Sequence, residues 1–224
     1  MEAKDLFPEL HEAVKRAHQQ YGLTASGHDF NHDDRVANYA GIIAPDDLIR
    51  RKAVAAGYCH SIDHMLEKHL ELSPDPDKEI EVEKLVRELL ENTDFTAEER
   101  DDVVHVVLRH EGVNKETDTP LQITLCDADR LANMDADVII RGGQFHPDLL
   151  AVDLVHFEND PGATYRDPRS VLWDVNNCAT WANETGPYIL RLPKARELGR
   201  SRAVFLKLYI FMVRTQHAEA HKGF

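Results

Sequence analysis

Hydrophobic and polar positions recur at helical spacing along most of the chain. Over residues 2–20, Leu6, Leu10, Val14 and Ala17 stand three or four apart, which predicts an amphipathic helix. A loop containing Gly and Ser, residues 21–29, leads to a second predicted helix at 31–43. There His32, Val36, Tyr39, Ala40 and Ile43 share one face, so His32 continues the buried stripe. Ala44-Pro45-Asp46-Asp47 ends that helix and caps a third, expected over 47–64.

Pro74-Asp75-Pro76-Asp77 breaks the pattern, and Val82, Leu85, Val86, Leu89 and Leu90 then form the stripe of a helix at 80–90. Thr96-Ala97-Glu98-Glu99 has capping-box form and opens a helix to residue 110, with Val103, Val107 and His110 on one face. Pro120 starts another, to residue 134, carrying Leu125, Cys126, Asp129 and Asn133 on one side. Between 142 and 169 the periodicity fails: three glycines and prolines at 147, 161 and 168 mark an irregular stretch, of the kind that often covers a site. A short helix is expected within it at 149–157, and two closing helices at 170–185 and 194–220. No stretch alternates as a strand does. The expected fold class is all-α, one helical domain over 1–224, with core motifs at 28–134 and C-terminal helices at 170–220.

Charge narrows the partners. With 26 basic and 40 acidic residues the formal charge is −14, which argues against a nucleic-acid polymer or an anionic membrane. An anion site would need local positive charge from a metal or from arginines. The most apolar run, Ala203 to Val213, is interrupted by Lys207 and too short to span a bilayer. No apolar leader opens the chain, and Cys59, Cys126 and Cys178 lack a C-x-x-C pair. These features read as reduced core thiols in a cytoplasmic protein. Thirteen histidines raise the prior for metal chemistry.

Cys59-His60-Ser61-Ile62-Asp63-His64 concentrates two imidazoles and a carboxylate in five positions. On a continuous helix His60, Asp63 and His64 lie on roughly one face, above Ala53, Ala56 and Gly57, which let another helix approach closely. With His32 and Asp129 on other helices, His60 completes a set that can bind a divalent cation. The bland readings are hydrogen-bonded helix ends for the histidines, structural ion pairs for Arg35 and Arg130, and a packed core imidazole for His110.

The segments Phe30-Asn31-His32-Asp33-Asp34-Arg35-Val36, Ala55-Ala56-Gly57-Tyr58-Cys59-His60 and Asp127-Ala128-Asp129-Arg130-Leu131-Ala132-Asn133-Met134 resemble the HD-domain metal-dependent phosphohydrolases. The tail, from Tyr165-Arg166-Asp167-Pro168 through Leu192-Pro193-Lys194-Ala195-Arg196, is similar to a small bacterial branch of that family. The resemblance implies a helical HD-type fold with His32, His60 and Asp129 as ligands of a divalent ion (Mn, Mg, Fe, Co or Ni). The family's His-Asp pair reads His60-Ser61 here, so a neutral hydroxyl replaces an anionic ligand. His64 could compensate as a ligand, and Asp63 could serve as the catalytic base. Arg35 is a candidate for a catalytic part beside the phosphoryl group, and Arg130 and Arg166 for holding phosphate. The expected activity is hydrolysis of a phosphate ester or anhydride of a small phosphorylated metabolite, foremost a nucleotide. A degenerate member that binds without turnover and a di-iron oxygenase on the same scaffold are the alternatives.

Overall fold

Helices supply nearly all the regular structure of the described residues, which are 2–23, 27–70, 76–155, 163–164 and 167–221 of a computed structural model. The only pairing of extended backbone among them is an isolated bridge between Thr164 and Asp167, so the all-α expectation holds.

The first predicted helix is two. Helix α1 (Ala3–Leu6) stops at Phe7, and α2 (Pro8–Gln20) restarts with Pro8 in its first turn, where a missing N–H costs nothing. Helix α3 (Phe30–Ile43) is capped by Asp29, whose side chain accepts from the N–H groups of Asn31 and His32. Helix α4 (Asp47–Cys59) is capped by Asp46 and ends five residues before the sequence pattern suggests. His60 and Ser61 form a turn, and α5 (Ile62–Leu70) sets off again.

Helix α6 (Pro76–Leu90) starts four residues before the expected start at 80. Helix α7 (Ala97–Val107) carries the expected capping box, with Thr96 accepting from Glu99 N–H and Glu99 reaching back to Thr96 N–H. Helix α8 (Pro120–Ala132) is capped by Thr119. Helix α9 (Val138–Phe145) has no counterpart in the sequence reading, because Gly142-Gly143 disguises it as loop. Residues 149–155 are not helical, contrary to the expected short helix; positions 156 and 157 lie outside the described residues. Helices α10 (Val171–Thr180) and α11 (Pro193–His221) close the fold, α10 opening at Ser170, whose hydroxyl accepts from Trp173 N–H.

The core is where α3, α4 and α8 meet, with α7 against α4 and with α10 and α11 packed together. Val36, Ala37, Ala40, Val54, Ala56, Tyr58, Leu125, Ala128 and Leu131 are fully buried there. Small residues allow the close approach: a Cβ on Gly57 would stand 2.7 Å from the Ala37 Cα. That crossing carries the end of α4 to the first turn of α3. No helix among the described residues is long and apolar enough to cross a membrane.

Candidate metal centre

His32 from the first turn of α3, His60 from the turn after α4, and Asp129 from the last turn of α8 converge. His32 Nε2 is 3.2 Å from His60 Nε2 and 3.3 Å from Asp129 Oδ1, and His60 Nε2 is 3.7 Å from the same oxygen. Donor atoms so spaced suit a cation bound at about 2.0–2.2 Å from each. Imidazole and carboxylate together favour a borderline or hard dication.

The surroundings prepare these groups. His60 Nδ1–H donates to Gly57 O at 2.8 Å, which leaves the Nε2 lone pair facing the centre. Behind it lies the fully buried Asp33, with Oδ1 3.4 Å from His60 Nδ1 and Oδ2 2.7 Å from His18 Nε2. Burial works against the Asp33 charge, yet His60 and His18 hold its carboxyl below the usual range. Asn133 Nδ2 donates to Asp129 Oδ1 at 2.8 Å and fixes that carboxylate's orientation. Burial lowers His32 to about 4, so the ring is neutral, as a ligand must be. Burial also opposes the Asp129 charge, but the hydrogen bond from His32 and the nearby His60 keep it ionised.

Arg141 of α9 is the principal residue that sequence reasoning missed. Its guanidinium is buried and donates to Gly27 O at 3.0 Å, Ala132 O at 2.7 Å and Asn133 Oδ1 at 3.3 Å. Nη1 also stands 3.2 Å from His32 Nδ1. The only sequence signal was an arginine among Val138, Ile139 and Ile140, and the glycines after it hid the helix.

Next to the centre is a cavity of about 280 Å³, walled by His28, His64, Glu67 and Glu111 on one side. Val138, Arg141, Phe145, Asp174 and Trp181 form much of the other wall. A narrower crevice joins its histidine side to the centre, since His28, His60, His64, Glu111, Asp129 and Arg130 all line it. Asp174 was also overlooked in the sequence; burial pushes its carboxyl up to about 6.

The other residues singled out in the sequence lie outside this set of three donor groups. Beyond the break at His60-Ser61, Asp63 and His64 group with Glu111, and His64 borders the crevice. His64 Nε2 is 3.6 Å from Glu111 Oε1 and Nδ1 is 3.4 Å from Glu67 Oε2. Ser61 is fully buried, its hydroxyl 3.2 Å from His60 Nε2. The Arg35 guanidinium bonds to Asp137 at 2.5 Å, and Arg35 lines neither the cavity nor the crevice. Arg130 borders the crevice but donates to Asn114 Oδ1 at 2.6 Å and Gly112 O at 3.1 Å. Arg166 lies outside the described residues. His110 donates through Nδ1–H to Val107 O at 2.7 Å, with its ring 5.5 Å from that of His60.

Residues 29–134, which contain all three converging side chains, match the family model of the HD domain. A search of curated proteins gave no match. Among solved structures, the chain is similar to an HD-superfamily hydrolase from Bacillus thuringiensis, at 19% identity and a TM-score of 0.62, covering 96% of this chain and 98% of that one. It is also similar to Bacillus subtilis YpgQ, solved in complex with ADP, at 21% identity and a TM-score of 0.56, covering 91% of this chain and 97% of that one. At these identities the likeness establishes the shared helical fold.

Proposed function

We propose, from the premise that this chain carries an HD domain over residues 29–134, that it is a divalent-metal-dependent phosphohydrolase of a small phosphorylated metabolite, a nucleotide foremost. The observation that carries the reading is the convergence of His32, His60 and Asp129, with donor atoms 3.2–3.7 Å apart, beside a cavity large enough for a small ligand. The ADP bound to YpgQ, on the same fold, supports a nucleotide as the class to try first.

A dication held there would supply a water of lowered pKa and polarise a phosphoryl oxygen. The chain's own residues do the rest. The neutral His32 and the ionised Asp129 are in the protonation states a ligand needs at neutral pH. Asp33 and Gly57 hold the His60 ring through Nδ1, so that Nε2 is aimed inward. Arg130 and Arg141, on the crevice and cavity walls, offset negative charge that grows on a transferred phosphoryl group. Phe145 and Trp181 give the far wall an apolar, aromatic character suited to a base or sugar face. Ser61 favours one other reading, a member that binds metal and ligand without turnover.

Phosphate release from nucleoside di- and triphosphates and from small phosphomonoesters, with Mn²⁺, Mg²⁺, Co²⁺ or Ni²⁺, separates the two. Release that chelation abolishes and that His32→Ala and Asp129→Asn lose is the expected result. Metal binding with no release across the panel would establish the binding-only reading instead.

A further inference from the structure

We propose that two copies of this chain pair through the outer face of α11, antiparallel about a two-fold axis. On that face Val204, Phe205, Leu208, Phe211 and Met212 recur at helical spacing and remain 43–69% exposed. Ala203, Leu206 and Ile210, on the opposite side of the same helix, are buried against the body. The helix is apolar on two faces, and the fold covers one of them.

Beyond Ile210 the body gives α11 little support. From Phe211 to Ala220 no residue is buried, and only Val213 and Thr215 are half-buried. Helices in water draw most of their stability from packing an apolar face, so this end calls for a partner.

A second copy fits the face in area and in charge. Taking roughly 150–250 Å² for a large apolar side chain, the five leave about 500 Å² of apolar surface in water. That is more than half of the roughly 800 Å² that each copy of a stable dimer buries. Ser201, Thr215 and Ala218 extend the face at its ends. With the axis at the level between Tyr209 and Ile210, Leu208 meets the partner's Phe211, Val204 the partner's Thr215 and Ser201 the partner's Ala218. Arg200 then lies opposite the partner's Glu219, once at each end. Bulky apolar groups fall at the centre and opposite charges at the rim, as a stable interface has them. A parallel pairing would instead set Arg200 against Arg200 and Glu219 against Glu219. The formal charge of −14 disfavours an anionic membrane as the occupant.

None of the residues lining the cavity or the crevice comes from α11, so pairing and metal binding are measured apart. Light scattering across a concentration series should give the full chain twice its mass of 25.5 kDa. Leu208→Glu and Phe211→Glu, both at exposed positions, should give the single mass with helicity and Mn²⁺ binding unchanged. Arg200→Glu should raise the dimer dissociation constant severalfold, and adding Glu219→Arg should restore it. Under mild oxidation Ser201→Cys with Ala218→Cys should cross-link two copies, while Ser201→Cys alone should not, the native cysteines being buried. A wild-type mass of 25.5 kDa at every concentration would overturn the proposal, as would a dimer that neither Leu208→Glu nor Phe211→Glu weakens. Cross-linking by Ser201→Cys alone would overturn the antiparallel arrangement.

Discussion

Gly57 of α4 rests on the backbone of Ala37 of α3, so close that a Cβ at position 57 would stand 2.7 Å from the Ala37 Cα and 2.8 Å from its nitrogen. Backbone cannot yield as a flexible side chain can, so Gly57→Ala must push the two helices apart. Gly57 also supplies the carbonyl that orients His60. The substitution should lower stability by about 1–3 kcal/mol and weaken Mn²⁺ binding together with it. Urea unfolding and metal titration of the same preparation measure both effects.

Ser61 faces the His60 Nε2 from 3.2 Å inside a fully buried pocket. Ser61→Asp places a carboxylate where a cation would use it and where, without one, its charge is buried. The metal-free variant should therefore be less stable than wild type, and Mn²⁺ should raise its melting temperature by more than it raises the wild type's. An equal Mn²⁺ response in both proteins would show that position 61 does not reach the ion.

His64 contributes a pH-dependent part of the stability of the metal-free protein. Burial disfavours its charge, but Asp63, Glu67 and Glu111 outweigh this and raise it to about 9 from 6.5, with the His28 and Phe145 rings packed against it and Lys78 bound to the same Glu67. A raised folded pKa means that the folded state holds the proton more tightly. The contribution is thus complete below pH 6.5 and is lost as pH rises through about 9. In chelator, the gap in urea midpoint between wild type and His64→Gln should be widest at the acid end of that window and close toward its alkaline end.

Arg141 joins the loop at Gly27, the end of α8 at Ala132, and Asn133 through one buried guanidinium. In Arg141→Leu those acceptors lose their donor while remaining buried. The cost should be about 1–3 kcal/mol, together with weaker metal binding, since Asn133 holds Asp129. Loss of stability with metal affinity intact would show that Asn133 is ordered without Arg141.

The helices themselves were legible wherever a stripe and a cap agreed. Thr96 with Glu99, Pro120 and the Asp46 cap all mark real starts, because capping depends on residues within one turn of each other. Helix α9 was not legible, since Gly142 and Gly143 cost helix propensity that tertiary contacts restore: a Cβ on Gly142 would meet Val171 Cγ1 at 3.4 Å. The break at His60-Ser61 was equally hidden. Its consequence is that His60 and His64, which share a face on a continuous helix, belong to two different clusters of donor atoms.

Sequence alone determined the helical class, most helix starts, and the identities of His32, His60 and Asp129 as a possible ligand set, because periodicity, caps and motif spacing are properties of neighbouring residues. Which side chains meet was decided by the packing of α3, α4 and α8, which sets donor atoms within 3.2–3.7 Å although His32 and Asp129 are far apart in the chain. The placing of Arg141, Asp174 and Glu111 around that centre also came from packing. A local pattern can say that a residue faces inward; only the crossing of helices says what it faces.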